Sequence, residues 1–287
     1  LPPLAKPPHI DCAEKVEKMP IPASALDKSG FLRLLVMGVP KVGKTAAAVT
    51  TSPRPVYVLN CEADDALTYA KERYNSFEFD RIKGWNSMTQ ALLDAKKMAE
   101  AGKVKTVVVD PLSDFGAHLE EECLALTDTG NGPDGRRAYP EFNKRIRHVL
   151  EKLFMLPCHV IVITHYIETG GEIDGQTAKT GEGIVPLLPG KARALVAAKF
   201  NDVVWMDFVK GERVIVTGPM GKWGPGCRNI DGTKVLPADI NEFLKALKNR
   251  GKDLRAPGEA ANASTNGGSG TSPRVGAPAP VRRIVNR

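Results

Sequence analysis

The octapeptide Gly38-Val39-Pro40-Lys41-Val42-Gly43-Lys44-Thr45 limits what this chain can fold into more than any other stretch. An apolar run at 31–37 precedes it and an alanine-rich run follows it. G-x-x-x-x-G-K-[ST] between a strand and a helix is a loop that cradles phosphate. Its glycines let the backbone curl, so that several N–H groups converge on phosphate oxygens. A helix opening at Lys44 adds the positive end of its dipole. Lys44 then reaches the terminal phosphates, and the Thr45 hydroxyl is placed to ligate Mg²⁺.

The rest of the chain repeats the alternation of strand, turn and helix. Residues 44–52 read as a short helix stopped by Pro53. Apolar runs at 55–59, 104–109 and 158–164 read as the second, third and fourth strands. Met88, Leu92, Ala95 and Met98 recur at helical spacing and predict a helix over 87–101, ended by Gly102. Phe142, Ile146, Val149 and Leu153 predict another over 140–155, with Lys144, Arg145, Arg147 and His148 on a charged solvent face. Residues 202–208 and 213–216 read as a later β pair. Ile240, Phe243, Leu244 and Leu247 predict a final helix closed by Gly251. Continuous apolar strands alternating with helices predict an α/β fold, a mostly parallel sheet covered on both faces.

Three strand ends carry polar residues. Val107-Val108-Val109-Asp110 puts an acid at the tip of a buried strand, where Mg²⁺ is held in such folds. Val58-Leu59-Asn60-Cys61-Glu62 puts a glutamate on the neighbouring strand, placed to polarise a water attacking the last phosphate. Val162-Ile163-Thr164-His165 offers a histidine that senses that phosphate and signals to the following loop.

Composition bounds the remainder. Of 287 residues, 42% are hydrophobic and 25% charged, an ordinary globular balance. The net charge is +7, but residues 251–287 hold six basic and two acidic side chains, so more than half of the excess lies there. That segment is rich in Gly, Ala, Ser and Pro and reads as a disordered tail. Residues 1–29 read as a proline-rich arm, leaving 30–250 as the folded domain. Cys12, Cys61, Cys123, Cys158 and Cys227 form no C-x-x-C pair, which argues for reduced thiols and against a zinc site. No run of 18 apolar residues predicts a transmembrane helix. Residues 1–8 lack the cationic start of a signal peptide. The expected location is cytoplasmic.

Taken in order, these signals resemble the RecA-like P-loop NTPase core over roughly 31–248. They are most similar to the phage-encoded RecA-like ATPases of the single-strand-annealing (Sak) group. The resemblance rests on GVPKVGKT, PVYVLNCEAD, TVVVDPLSDF, a basic helix beginning Arg137-Ala138-Tyr139, VIVITHYIE, and LLPGKARALVAAKFNDVVWMDF. It implies ATP as the nucleotide and a role in phage DNA recombination, annealing or replication, in the bacterial host's cytoplasm. It places Glu62 at the RecA-like glutamate and His165 at the strand-tip sensor. Asn60 stands where an acid is frequent, and Pro111 where a small hydroxyl residue is usual.

The resemblance also implies single-stranded DNA contacts in the loops after the third and fourth strands, at 125–139 and 167–190. There Arg136, Arg137, Lys179, Lys191 and Arg193 are the phosphate-binding candidates, with Tyr139 and Tyr166 for base stacking. It implies a homo-oligomer whose sites receive a cation in trans. Lys222 and Arg228, in a glycine-rich stretch after a strand, are the candidates, with Trp223 beside them. The basic tail is a candidate contact for a single-strand-binding protein. The alternatives are a nucleotide-gated interaction module with slow hydrolysis, and a small-molecule kinase, for which no lid motif is present.

Overall fold

The computed structural model describes residues 30–74, 76–128, 132–169, 183–218, 226–230 and 232–249. The arm at 1–29, the tail at 251–287 with Gly251, and Lys179, Lys222 and Trp223 lie outside the described residues.

The chain runs β1 (Arg33–Gly38), α1 (Lys44–Thr51), β2 (Val56–Asn60), a 3-10 turn (Asp64–Leu67), α2 (Thr68–Arg73), β3 (Phe77–Arg81) and α3 (Trp85–Glu100). It continues with β4 (Thr106–Asp110), α4 (Leu112–Leu126), α5 (Gly135–Phe154), β5 (His159–Ile163), β6 (Tyr166–Thr169) and β7 (Gly183–Pro186). Then come α6 (Ala192–Lys199), β8 (Asp202–Val209), β9 (Glu212–Val216), β10 (Val235–Pro237) and α7 (Ile240–Lys248).

Eight strands form one sheet in the order β10-β9-β8-β1-β5-β4-β2-β3. The strands from β8 to β3 are parallel, and β9 and β10 continue antiparallel. This is the expected α/β fold, a mostly parallel sheet flanked by helices, with a late antiparallel extension. β5 and β4 lie between β1 and β2, so the chain crosses two strand positions after the phosphate loop and fills them later.

The sheet is apolar on both faces because helices cover both. Leu35, Met37, Val107 and Val109 point to the core under α3, α4, α5 and α6. Leu34, Val36 and Val108 point to the core under α1 and α7. β2 and β4 are buried along their whole length, which is why they read as unbroken apolar runs. Arg33 is tied into this frame. Its guanidinium donates to the carbonyls of Phe154, Leu156 and Cys158 at 3.0, 2.6 and 2.5 Å. The Phe154 carbonyl is one that α5 leaves open at its C-terminus, and the other two lie in the turn leading to β5.

Several boundaries differ from the sequence expectation. β3 is an extra strand before the run at 104–109, which is therefore the fourth in the chain. α4 occupies 112–126, where no helix was expected. α5 begins at Gly135, so Arg136 and Arg137 stand in its first turn and not in a loop; Asp134 accepts a hydrogen bond from the Arg136 N–H at 2.9 Å and starts the helix there. Arg145 is not on a solvent face. Its side chain is largely buried, pairs with Glu141 at 2.9 Å, and lies 5.0 Å from the Trp85 ring. The guanidinium is needed there because α3, α4 and α5 bring Trp85, Glu122 and Glu141 together.

Candidate functional site

The parallel registers set the site. Asn60 pairs with Asp110 across β2 and β4, Val109 with Val162 across β4 and β5, and Val36 with Ile163 across β1 and β5. The carboxyl ends of these strands therefore finish side by side. The residues one or two steps beyond them gather at one edge, where ligands of open α/β sheets bind.

The phosphate loop occupies that edge beyond β1. A side chain at Gly38 would meet the Met206 carbonyl oxygen 2.3 Å from its Cβ, so β8 can approach only a glycine. Gly43, at φ 90, is left-handed and starts α1 without a side-chain cap. Lys41, at φ 62, is also left-handed. This curl leaves the first N–H groups of α1 without helical acceptors and turned to the loop's hollow. Lys44 is 7% exposed, and its ammonium donates to the carbonyls of Gly38 and Val39, each at 3.0 Å. Burial lowers its pKa; Asp110 and Glu62 oppose that shift.

A cleft of about 480 Å³ opens over the loop. Pro40, Lys41, Gly43, Lys44, Thr45, Glu62, Asp110 and His165 all line it. The structure thus brings together every strand-end residue singled out from sequence. Val39 and Val42 do not line it: Val42 is buried under the loop and anchors it to the core.

Asp110 is 2% exposed, and its pKa rises to about 6, chiefly through burial, against the hydrogen bond from Thr45. Its Oδ2 is buried with no hydrogen-bond partner. An orphaned carboxylate oxygen beside a threonine hydroxyl at the floor of a phosphate cleft fits a hard cation such as Mg²⁺. Among the described residues no cluster of three or more His, Cys, Asp or Glu could hold a metal alone. Such an ion would need phosphate oxygens and water to complete its shell. Glu62 lies in the cleft beyond β2, and the Asn60 side chain accepts from its N–H at 3.3 Å.

His165 sits where β5 passes into the β6–β7 hairpin. The hydroxyl of Ser113 accepts from its N–H at 3.3 Å, and its Nε2 is 4.0 Å from an Asp114 oxygen. Its carbonyl accepts from Leu187 N–H at 2.8 Å, just past β7. Both ends of the hairpin are therefore tied to the strand tip.

The DNA candidates divide. α5 and α6 lead into parallel strands, so both begin at the edge that holds the phosphate cleft. Arg136, Arg137 and Lys191 are exposed at those helix starts. Arg193 is partly committed: its Nε donates to the Leu188 carbonyl at 2.6 Å. It lines a groove of about 460 Å³ with Ser113, Asp114, Glu120, Tyr139 and Leu187. Tyr166 packs edge-on against Trp205 at 5.0 Å. Arg228 is not brought to the cleft. Its N–H donates to the Asn201 carbonyl at 3.0 Å, beside the amino end of β8 at the opposite edge of the sheet.

Sequence reasoning passed over four residues of this edge. Ser113 and Asp114 stand on the first turn of α4; Leu112, Phe115, Leu119 and Cys123 carried its helical period. Tyr69 and Arg213 line the cleft from α2 and β9. No local pattern marks either one.

This fold and this loop define a P-loop NTPase. The chain belongs to the AAA domain family, whose model matches residues 31–224. Among solved structures it is similar to the KaiC-like protein PH0186 from Pyrococcus horikoshii OT3, at 14% identity and a TM-score of 0.40, over 72% of this chain and 90% of that one. No curated protein sequence matches it. Among the described residues no helix is long and apolar enough to cross a membrane.

Proposed function

We propose that this protein is an Mg-ATP-dependent RecA-like ATPase that acts on single-stranded DNA in phage-type recombination, annealing or replication. The carrying observation is the convergence of Lys44, Thr45, Glu62, Asp110 and His165 on one cleft. In this reading the loop amides and Lys44 hold the phosphates. Thr45 and Asp110 would hold Mg²⁺, which when bound neutralises phosphate charge. Glu62 orients and deprotonates the attacking water. His165 registers the last phosphate and passes its presence to the hairpin through Leu187.

Arg136, Arg137 and Lys191 supply phosphate contacts for DNA at the same edge, with Arg193 and Tyr139 in the groove that also holds Asp114. Nucleotide state and DNA affinity are then coupled through a few side chains. The protein works as a homo-oligomer, with Lys222 or Arg228 reaching a neighbour's nucleotide.

One observation favours a second reading, a nucleotide-gated module for a protein partner. The groove beside His165 carries two acids and exposed Tyr139 and Leu187. That lining suits a peptide better than a phosphate chain.

The test is ATP hydrolysis with and without single-stranded DNA, using Lys44→Ala as the blank. Stimulation by DNA that Lys44→Ala abolishes is the expected result. Nucleotide binding with hydrolysis indifferent to DNA would move the assignment to the protein-partner module.

A further inference from the structure

A second cleft, of about 320 Å³, adjoins the phosphate cleft. Gly43, Ala46, Tyr69 and Arg213 line both, so the two are continuous. Its floor is the outer face of α1, at Ala46, Ala47 and Thr50, and Arg73 and Tyr74 wall it from α2 and its end. Its lining includes two arginines, Arg73 and Arg213, and no acid, so nothing in it repels a phosphate at its entrance.

Arg213 stands at the junction. It lies in β9 just past the turn Lys210-Gly211, both left-handed at φ 53 and 85, which folds β9 back on β8. Its guanidinium carbon is 3.5 Å from the point a Cβ on Gly43 would occupy, so it overhangs the start of α1. The Phe208 ring lies 5.8 Å from it across the hairpin, and Tyr69 lines both clefts with it. Lys44 is different: its ammonium is turned into the loop, on two carbonyls. Arg213 is exposed and lines both clefts.

We infer that Arg213 holds the nucleoside-side phosphate of the bound nucleotide, and that the cleft between α1, α2 and β9 receives its nucleoside. The inference rests on the nucleotide-binding reading above. Phosphates seated at Lys44 and Thr45 lead outward past Ala46, toward the second cleft. The next charge to be met on that path is Arg213. A cation there contacts a group common to di- and triphosphates, so it sets affinity for both. A cation on the last phosphate would distinguish them.

Calorimetric titration of the full chain with ADP and with adenylyl imidodiphosphate tests this. Arg213→Ala is expected to weaken both by the same factor, about tenfold for one charge-assisted hydrogen bond. The same loss should appear in KM for ATP, and Arg213→Lys should restore most of it. Unchanged affinities in Arg213→Ala, with the wild type binding both nucleotides, would overturn the assignment of Arg213 alone. So would a loss confined to the triphosphate, or a fall in kcat with KM held. A wild type that binds neither nucleotide would overturn the nucleotide reading itself. Arg213 is exposed and its backbone pairing is independent of the side chain, so an unchanged melting temperature will separate these outcomes from unfolding.

Discussion

Asn60 and Asp110 are register partners at the carboxyl ends of β2 and β4, and the N–H of the next residue, Cys61, donates to the Asp110 carbonyl at 2.7 Å. The pairing carries β2 one residue past its end beside Asp110 and sets Glu62 over the same cleft. In the proposed reading, the carboxylate that activates water and the carboxylate that holds the cation thus come from adjacent strands. The acid need not follow Asp110 in sequence, where Pro111 stands.

Glu62→Gln should separate binding from chemistry. Glu62 is exposed at a strand end, so the fold does not depend on its charge. Hydrolysis is expected to fall by about 10²–10⁴-fold, the usual contribution of a general base. Calorimetric affinity for a non-hydrolysable triphosphate should change little. A hydrolysis rate equal to wild type would remove Glu62 from the reaction.

Arg136→Ala with Arg137→Ala should weaken single-stranded DNA binding at every sequence tested. Losing two phosphate contacts lowers the slope of log affinity against log salt by about 1.4. Both side chains are exposed at the start of α5, so thermal stability should hold. Fluorescence anisotropy across a salt series reads the slope. An unchanged slope would take both residues out of the DNA surface.

His159 should make the fold acid-sensitive. Burial lowers its pKa below 6.5, and Arg33 and Lys248 add to that shift. Its Nδ1 accepts the Leu32 N–H at 3.0 Å, which needs an unprotonated nitrogen. As pH falls through about 6.5 the unfolded chain takes up the proton first, so stability drops there. His159→Gln, neutral and still an acceptor, should flatten urea-unfolding stability below that pH. An equally steep fall in the variant would assign the effect to other groups.

Arg33→Met should destabilise the domain by about 2–4 kcal/mol, since part-buried carbonyls at the end of α5 and in the turn after it lose their donors. The midpoint of urea unfolding measures it. A shift under about 0.5 kcal/mol, the range of ordinary surface substitutions, would show that water replaces the guanidinium there.

The phosphate loop was legible because its chemistry is local. Eight consecutive residues make the curl, the helix start and the lysine. The buried strands were legible too, since a strand covered on both faces must be apolar along its middle, as 107–109 and 160–163 are. β3 escaped because it is a sheet edge. Its residues, Phe77-Glu78-Phe79-Asp80-Arg81, are mostly exposed and carry no unbroken apolar run. α4 was passed over although its apolar spacing was present in the sequence.

Arg145 illustrates the limit. On its own helix it looks like one more basic residue off the apolar stripe. Only the packing of α3 and α4 against α5 supplies Trp85 and Glu122, and with them a reason to bury it.

The sequence by itself determined the chemistry at each strand end, because a buried strand followed by a polar residue is a one-dimensional pattern. The tertiary structure decided which ends meet. Setting β5 and β4 between β1 and β2 brings Lys44, Asp110, Glu62 and His165 into one cleft. It also folds β9 back on β8 until Arg213 overhangs Gly43, 170 positions earlier in the chain. Strand order and hairpin return come from contacts between distant residues, and no local pattern encodes them.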